Sequence, residues 1–388
     1  MHPMRPPPRI LYLVTEDWGF LKHRIMIARA ALAAGCEVHV ASSPGEHGEE
    51  IRRLGFAYHP VRLARRSLNP LGDAATFADL VRLYRTVRPD LVHHVALKPI
   101  VWGTAAARVA RVPAVVNAVT GLGYVFIGEG ARRRALRLVA EGMFAASLRG
   151  RRVWTIFQNP DDHGFFVRRR LVDAARCSII RGSGVDVRRF TPSAEPPGPP
   201  VVLVATRMLW DKGIGELVEA ARILRRHGSG AHIRLAGRID PGNPACIPEE
   251  QLRAWTAEGL IEWIGHREDM PEQHAASHVA CLPSYREGLP LSLLEGAACG
   301  RPVVTTDVPG CREAVVDGET GLLVPARDGA ALANALERLA ADPALRKRMG
   351  SAGRSFVEER FSIETMARET FRVYEKLLDR PIASKVEG

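Results

Sequence analysis

The chain of 388 residues has a mass of 42.5 kDa, is 46% apolar and 25% charged, and contains 35 Gly and 27 Pro. These proportions are ordinary for globular proteins and exclude collagen-like, coiled-coil and disordered classes; at roughly 150 residues per domain, the length predicts two or three domains. Basic residues exceed acidic ones by 11, and residues 1–185 hold 28 basic and 14 acidic side chains against 26 and 29 in the rest. This one-sided charge favours an anionic partner such as nucleic acid, anionic lipid or a phosphorylated substrate. The 48 Arg against 6 Lys offer another explanation, a general arginine bias.

The first half of the chain alternates short apolar runs with helical patterns, which is typical of parallel β-α-β units. The predicted strands are 10–14, 37–42, 57–61, 91–95 and 114–119, and the predicted helices are 24–34, 49–54, 73–87, 100–111 and 131–148. A turn bearing Gly19, TEDWGFLKHR at 15–24, follows the first strand. A single glycine does not make the GxGxxG loop of dinucleotide-binding proteins.

The second half restarts the alternation after TPSAEPPGPP at 191–200, whose Pro and Gly density is typical of a linker. The predicted strands are 201–206, 232–236, 261–265, 279–283 and 303–306, and the predicted helices are 215–227 and 291–298. The pattern predicts an α/β fold of two Rossmann-like, doubly wound parallel-sheet domains that face each other across a cleft. We place these domains at 1–185 and 201–362, with a hinge linker at 186–200.

Other sequence features indicate a cytoplasmic protein. No apolar run approaches the roughly 18 residues that span a bilayer, and the first apolar stretch is too short for a signal peptide. The six cysteines are sparse and have no CxxC spacing, so we interpret them as reduced thiols, without disulfides or a metal site.

Two cations follow the first strand of the second domain. Arg207 ends the run VVLVATR, and Lys212 comes just before the next predicted helix. Both flank the carboxyl edge of one strand beside a helix N-terminus, so the pattern favours binding of an anion. The alternative is a pair of solvated loop residues.

Two glutamates bracket the start of the helix predicted at 291–298. Glu287 lies in a glycine-containing loop, and Glu295 lies just over one turn inside the helix. The loop at Gly288 and Leu289 offers bare backbone N–H groups to a phosphate, while carboxylates are good acceptors for sugar hydroxyls. For each glutamate alone, the alternative is a helix-dipole partner or a solvated face.

Together these residues resemble family 4 of the nucleotide-sugar glycosyltransferases, which have the two-domain GT-B architecture. The resemblance rests on Glu287-x7-Glu295, on Arg207 and Lys212 about 80 residues upstream, and on LPSYREGLPLSLLEGAACGRPVVTTDVPGCREAVVDGETGLLVP around the glutamates. It implies that Arg207 and Lys212 hold the donor diphosphate and that Glu295 binds the ribose hydroxyls. Glu287 is then the catalytic residue, beside the reacting carbon of the transferred sugar.

The same resemblance implies further roles, both inside and outside this motif. Gly19 lets its loop approach the donor, and Gly288 and Leu289 complete the donor site. The C-terminal segment 363–388, with a long helix over 363–378, packs back on the first domain.

A narrower resemblance is to bacterial enzymes that extend polyprenyl-diphosphate-linked or exopolysaccharide glycans, near the N-glycan N-acetylgalactosaminyltransferases. It rests on EDWGFLKHR, VHHVALKP, VNAVTGLGYVF, FQNPDD and the ID-P-NP stretch at 239–244. It implies a hexose or N-acetylhexosamine donor, UDP-linked in preference, and acceptor or membrane contacts by Lys98 and Thr120. Many family 4 enzymes carry a His where this chain has Thr120, and we do not transfer that role to His93 or His94, which lie on a different strand.

Family 4 enzymes retain the anomeric configuration, and the chain has no Asp-x-Asp to hold a metal-bridged donor, so we expect no metal or other cofactor. Residues 131–152 hold seven arginines and one acidic residue, Glu141. Helical spacing places Leu136, Val139 and Met143 on one apolar stripe, and Leu138 and Phe144 widen it. Arg132, Arg133 and Arg134 cluster at one end. This pattern is typical of a helix on an anionic membrane, and the lipid-linked acceptor that the resemblance implies favours a position at the inner face of the cell membrane. The alternative is a core-packed helix with a solvated charged end.

Two other functions stay open. A GT-B-fold nucleotide-sugar epimerase or hydrolase would share the donor site but would need no acceptor surface. A nucleic-acid-binding protein would account for the isoelectric point of about 9.8, but the basic residues have no interleaved aromatics and no known module. We therefore expect a nucleotide sugar, a lipid-linked glycan and an anionic membrane as partners, and no nucleic acid.

Overall fold

The computed structural model describes residues 6–63, 70–121 and 131–382, with the backbone alone for 70–71 and 131–136. The chain divides into two compact units. The first unit ends at Ser183 and resumes at Ile363, and the second unit is Gly184–Ser362. Each unit has its own parallel sheet, which confirms the predicted α/β class with two parallel-sheet domains.

The first unit is built on seven parallel strands within the described residues. They are β1 (Arg9–Glu16), β2 (Glu37–Ser43), β3 (Ala57–Pro60), β4 (Leu91–Val95), β5 (Ala114–Val119), β6 (Val153–Phe157) and β7 (Cys177–Ile179). The helices that connect them are α1 (Asp17–His23), α2 (Ile25–Ala33), α3 (Gly48–Arg53), α4 (Pro70–Val87), α5 (Thr104–Ala110), α6 (Ala131–Leu148) and α7 (Pro160–Arg168). The spatial order is β3-β2-β1-β4-β5-β6-β7. Central strands such as β5 are buried throughout, as a parallel sheet covered on both faces requires.

The second unit has six parallel strands among the described residues. They are β8 (Val201–Ala205), β9 (His232–Ala236), β10 (Glu262–Trp263), β11 (Val279–Leu282), β12 (Val303–Thr306) and β13 (Gly321–Val324). The helices are α8 (Ile214–Arg226), α9 (Glu249–Ala257), α10 (Met270–Ala275), α11 (Leu291–Ala298), α12 (Gly329–Ala341) and α13 (Pro343–Phe361). The spatial order is β10-β9-β8-β11-β12-β13. The strands β8 and β11 are therefore neighbours, although 73 residues lie between the end of β8 and the start of β11.

The segment predicted as a hinge linker is an anchored part of the second unit. Arg301 Nη2 donates to Ser193 Oγ at 2.6 Å, and Arg346 Nη2 lies 2.7 Å from Glu195 Oε2. Both guanidinium groups are buried, and buried charges need acceptors or counter-charges. The segment around Ser193 and Glu195 supplies them, so it is held in place along the unit rather than forming a free spacer.

The last described helix, α14 (Ile363–Leu378), belongs to the first unit. Its Met366, Phe371 and Tyr374 are buried with the apolar residues of β1 and α2. None of the described helices has both the length and the apolar character needed to cross a bilayer.

Predicted and observed bounds agree residue for residue for β4, β5, α6, β9, α11, β12 and α14. The turn predicted over 15–24 is wrong, because α1 follows β1 directly and Gly19 lies inside the helix. Asp17 is in the first turn of α1, where a carboxylate is favourable, and its Oδ2 accepts the backbone N–H of His47 at 2.9 Å. The predicted helix 100–111 begins as a π-helical turn at Pro99–Gly103 and ends at Ala110.

Candidate active site

Two loops meet at the carboxyl edge of the second sheet, because β8 and β11 are adjacent and parallel. The loop after β8 carries Asp211, and the loop after β11 carries Ser284 and Tyr285. The Tyr285 backbone N–H donates to the Asp211 carbonyl at 3.0 Å, and Ser284 Oγ donates to the same carbonyl at 3.2 Å. These bonds fix the two loops to each other.

Two glycines allow this close approach. Gly213 has φ +72°, and a Cβ there would lie 1.9 Å from the Pro283 carbonyl oxygen. Gly310 has φ +81°, and a Cβ there would lie 2.2 Å from the Glu287 carbonyl oxygen. Side chains rarely adopt this backbone region, and neither distance leaves room for one. The glycines therefore hold the backbone beside Lys212 and Glu287 in place.

Lys212 and Glu287, both predicted as site residues, form an ion pair. Lys212 Nζ lies 2.5 Å from Glu287 Oε1, and the side chains are only 13% and 15% exposed. Lys212 ends a 3-10 turn just before α8, while the Glu287 N–H donates to the Pro309 carbonyl at 3.1 Å. The pair places a cation and a carboxylate together at the edge where ligands of such sheets bind.

Arg207, the second predicted cation, has a partner that the sequence analysis did not assign. Arg207 Nη1 lies 2.8 Å from Asp240 Oδ2. Asp240 follows β9, which is the neighbour of β8 on the other side, so both side chains follow strands that end at the same edge. The stretch containing Asp240 was noted in the resemblance, but its pairing with Arg207 depends on the strand order.

Glu295 lies in α11, half-buried, on the helix that follows the Glu287 loop. Pro290 is the N-cap residue of this helix, and its side chain makes no hydrogen bond to the first turn. Gly288 is buried, and Leu289 packs against the core. Gly288 and Leu289, both predicted as donor-binding residues, therefore lie directly before the N-terminus of α11, where the helix dipole favours an anion.

The carboxylates of Asp211 and Glu216, near the ion pair, were not predicted from the sequence. Burial raises the pKa of Asp211, although the positive charge of Lys212 partly offsets this effect. The Oδ1 atom of Asp211 is buried and has no hydrogen-bond partner within the described chain. Tyr285 Oη donates to Glu216 Oε1 at 2.6 Å. Burial and this bond raise the pKa of Tyr285, so the phenol stays protonated as a donor.

Comparison with known families gives a match in each half of the chain. Residues 199–342 match the family described as Glycosyl transferases group 1, and residues 9–149 match Glycosyl transferase 4-like proteins. Together the two matches cover more than half of the chain, one in each unit. The chain is a glycosyltransferase of the GT-B class.

Individual relatives agree with this assignment. One relative is the N,N'-diacetylbacillosaminyl-diphospho-undecaprenol alpha-1,3-N-acetylgalactosaminyltransferase of Campylobacter jejuni, which is 28% identical to this chain. The alignment covers 84% of this chain and 90% of the relative. The structure of sucrose-phosphate synthase from Thermosynechococcus elongatus superposes with a TM-score of 0.80 at 22% identity, covering 96% and 99% of the chains. Anabaena HepE, solved with UDP and glucose, gives a TM-score of 0.78 at 18% identity, covering 95% and 100%. These structural likenesses establish the fold.

The first unit of the glycosyltransferase holds the remaining predicted residues. Gly19 lies in α1 with open space around the position of a Cβ, so no close approach within this unit explains it. Lys98 Nζ lies 3.1 Å from Asp73 Oδ1 in a largely buried ion pair. Thr120 directly follows β5 and is half-buried. The side chains of residues 132–134 lie outside the described part of the chain.

Proposed function

We propose that this glycosyltransferase moves a hexose or an N-acetylhexosamine from a nucleotide diphosphate sugar, UDP-linked in preference, to a hydroxyl of a lipid-linked glycan. We further propose that transfer retains the anomeric configuration and needs no metal. The observation that carries the proposal is the Lys212–Glu287 pair at the carboxyl edge of the second sheet, beside the N-terminus of α11. The Campylobacter relative, named for a diphospho-undecaprenol acceptor, supports the acceptor class.

The cations of the site suit a departing diphosphate. An ammonium group has three N–H donors, so Lys212 can donate one hydrogen bond to Glu287 and two to phosphate oxygens. Asp240 holds the Arg207 guanidinium at the same edge, and the remaining N–H groups of Arg207 are available to the same anion. Preorganised donors of this kind stabilise charge that develops in the transition state.

In the proposed reaction the bond between the anomeric carbon and the β-phosphate oxygen breaks, and its electron pair leaves with the diphosphate. The acceptor oxygen forms its bond on the same face, and the acceptor proton passes to the departing phosphate. Glu287 accepts a hydrogen bond from a sugar hydroxyl, and its negative charge stabilises the positive character at the anomeric carbon. Glu295 binds the ribose hydroxyls in this scheme.

The surface of α6 supports a peripheral position on the inner face of the cell membrane. Leu138, Val139 and Met143 are exposed, the first two by 61% and 62%. Phe144, which the sequence analysis placed on the same stripe, is instead buried in the core. The exposed apolar side chains follow the arginines at 132–134, a combination that favours anionic headgroups.

The test is nucleotide release from a panel of UDP- and GDP-sugars, with and without a polyprenyl-diphosphate-linked glycan. We expect at least one UDP-sugar to give acceptor-dependent release. Glu287→Gln should reduce this release by about 100-fold or more, whereas Glu258→Gln, at an exposed surface ion pair of the same unit, should leave it unchanged. Absence of acceptor-dependent release with every donor, or equal activity in both variants, would contradict the proposal.

A further inference from the structure

Carboxylates outnumber cations around the donor site of the second unit. Arg207 Nη1 lies 2.8 Å from Asp240 Oδ2, and Lys212 Nζ lies 2.5 Å from Glu287 Oε1. Each cation therefore has a counter-charge before any ligand binds. Asp211 directly precedes Lys212 in the chain and adds a third carboxylate to these two pairs. An anion that binds here must neutralise or tolerate this extra negative charge.

The carboxylate of Asp211 is poorly compensated in the protein. Its Oδ1 atom is buried and has no hydrogen-bond partner within the described chain. Burial raises its pKa, the charge of Lys212 lowers it, that of Glu287 raises it and that of Arg207 lowers it. Because a buried carboxylate without hydrogen bonds is disfavoured in its ionised form, Asp211 depends on the two nearby cations to stay ionised.

A bound diphosphate would remove this support. It would bring negative charge to Lys212 and Arg207 and so weaken the positive potential that these cations produce at Asp211. The other groups that act on or with Asp211 supply no positive charge in its place. Glu287 is a carboxylate, and Tyr285, which is coupled to Asp211, is a neutral phenol that donates to the carboxylate of Glu216 at 2.6 Å. Like charges disfavour the ionised form of a carboxyl group.

We propose that Asp211 is a further carboxylate of the donor site and that it takes up one proton from the solvent when the donor diphosphate binds. This inference rests on the proposed function and adds a pH dependence to donor binding. Affinity is highest at pH values below the pKa of Asp211 in the free protein. It falls by up to about tenfold per pH unit as the pH rises from that pKa to the higher pKa in the complex.

Calorimetric titration with UDP-glucose tests this coupling. The pH is varied from about 5 to about 8, where the diphosphate diester of UDP-glucose does not titrate, and two buffers of different ionisation enthalpy count the protons taken up. We expect proton uptake by wild type and none by Asp211→Asn, which should bind UDP-glucose about tenfold more tightly than wild type at pH values above the pKa of Asp211 in the complex. Both proteins should bind it equally at low pH.

Asp307→Asn is the matched control. Asp307 follows β12 at the same edge of the sheet, and its side chain is 59% exposed in a pair with Arg312. The control removes the same charge from a solvated position, so it should behave like wild type. Proton uptake that persists in Asp211→Asn, or an affinity of this variant that is below wild type at every pH, would overturn the proposal.

A measurement on the wild type covers the case in which Asp211→Asn does not fold. The ¹³C resonance of the Asp211 side-chain carboxyl group should move towards its protonated position when UDP-glucose binds. A resonance that stays at the ionised position throughout the titration would overturn the proposal.

Sulfate separates this inference from the choice of donor, because it remains a dianion over the whole pH range. Its binding is followed by the thermal midpoint of the full chain, with the ionic strength held constant by gluconate. We expect sulfate to bind wild type more weakly as the pH rises and to bind Asp211→Asn with much less dependence on pH. This result without binding of UDP-glucose would contradict the proposed donor alone. Equal pH dependence in both proteins, or no sulfate binding to wild type, would overturn the role of Asp211.

Discussion

Removing one member of the Lys212–Glu287 pair leaves the other charge unpaired in a largely buried place. Exposed pairs contribute about 0–1 kcal/mol, and breaking a fully buried pair costs about 3–5 kcal/mol. The two side chains are 13% and 15% exposed, so we expect Lys212→Met to lower the free energy of unfolding by about 2 kcal/mol. If Lys212 and Glu287 were solvated loop residues, as in the alternative interpretation of the sequence, Lys212→Met would change the free energy of unfolding little.

The assay is a double-mutant cycle followed by thermal unfolding and by transfer activity. For a unit of this size, about 2 kcal/mol corresponds to a midpoint lower by about 4–8 °C. Lys212→Met combined with Glu287→Gln should recover most of this loss, because no unpaired charge remains, yet transfer should stay about 100-fold or more below wild type. The exposed pair Arg222–Glu258 is the control cycle, with coupling below about 1 kcal/mol. Additive losses of stability in the Lys212–Glu287 cycle, or restored transfer in the double variant, would refute the reasoning.

Two further predictions concern the backbone of the site and the membrane. Gly213→Ala should reduce stability by about 2 kcal/mol more than Gly228→Ala and should impair donor binding. Both glycines have φ +72°, but only at Gly213 would a Cβ meet the Pro283 carbonyl. Equal losses of stability in unfolding measurements would therefore disprove the steric argument. The protein should sediment with anionic vesicles at low salt and dissociate as salt rises, and replacing the three arginines at 132–134 with Ser should weaken sedimentation without loss of donor hydrolysis. Wild-type protein that ignores anionic vesicles at every salt concentration would exclude this surface.

The alternation of apolar runs predicted ten of the thirteen described strands, because buried parallel strands are short, apolar and separated by helices. It missed β6, β7 and β13. The bounds of α6 and α11 were predicted to the residue from the helical pattern, and those of α14 from the family resemblance. The short helix α1 was missed, since its inner Gly19 and its position after a strand are typical of a turn. What stabilises it is partly non-local: buried Asp17 accepts a hydrogen bond from His47, 30 residues away.

The candidate site could be predicted in part for a similar reason. Lys212 and Glu287 were recognised as residue types at strand ends, but their contact depends on the adjacency of β8 and β11, which no local pattern encodes. The Arg207–Asp240 pair depends in the same way on β9. The hydrogen bond between His93 and Tyr374 is still less accessible from the sequence, since 281 residues separate its two partners along the chain.

The most direct test of the account is the configuration of the product. The purified protein, its lipid-linked acceptor and the active UDP-sugar are incubated in excess EDTA, and the new linkage is examined by proton NMR. We expect transfer at an undiminished rate, with the anomeric configuration of the donor preserved in the product. An inverted linkage, or loss of transfer on chelation with recovery on addition of Mg²⁺ or Mn²⁺, would contradict the proposed mechanism.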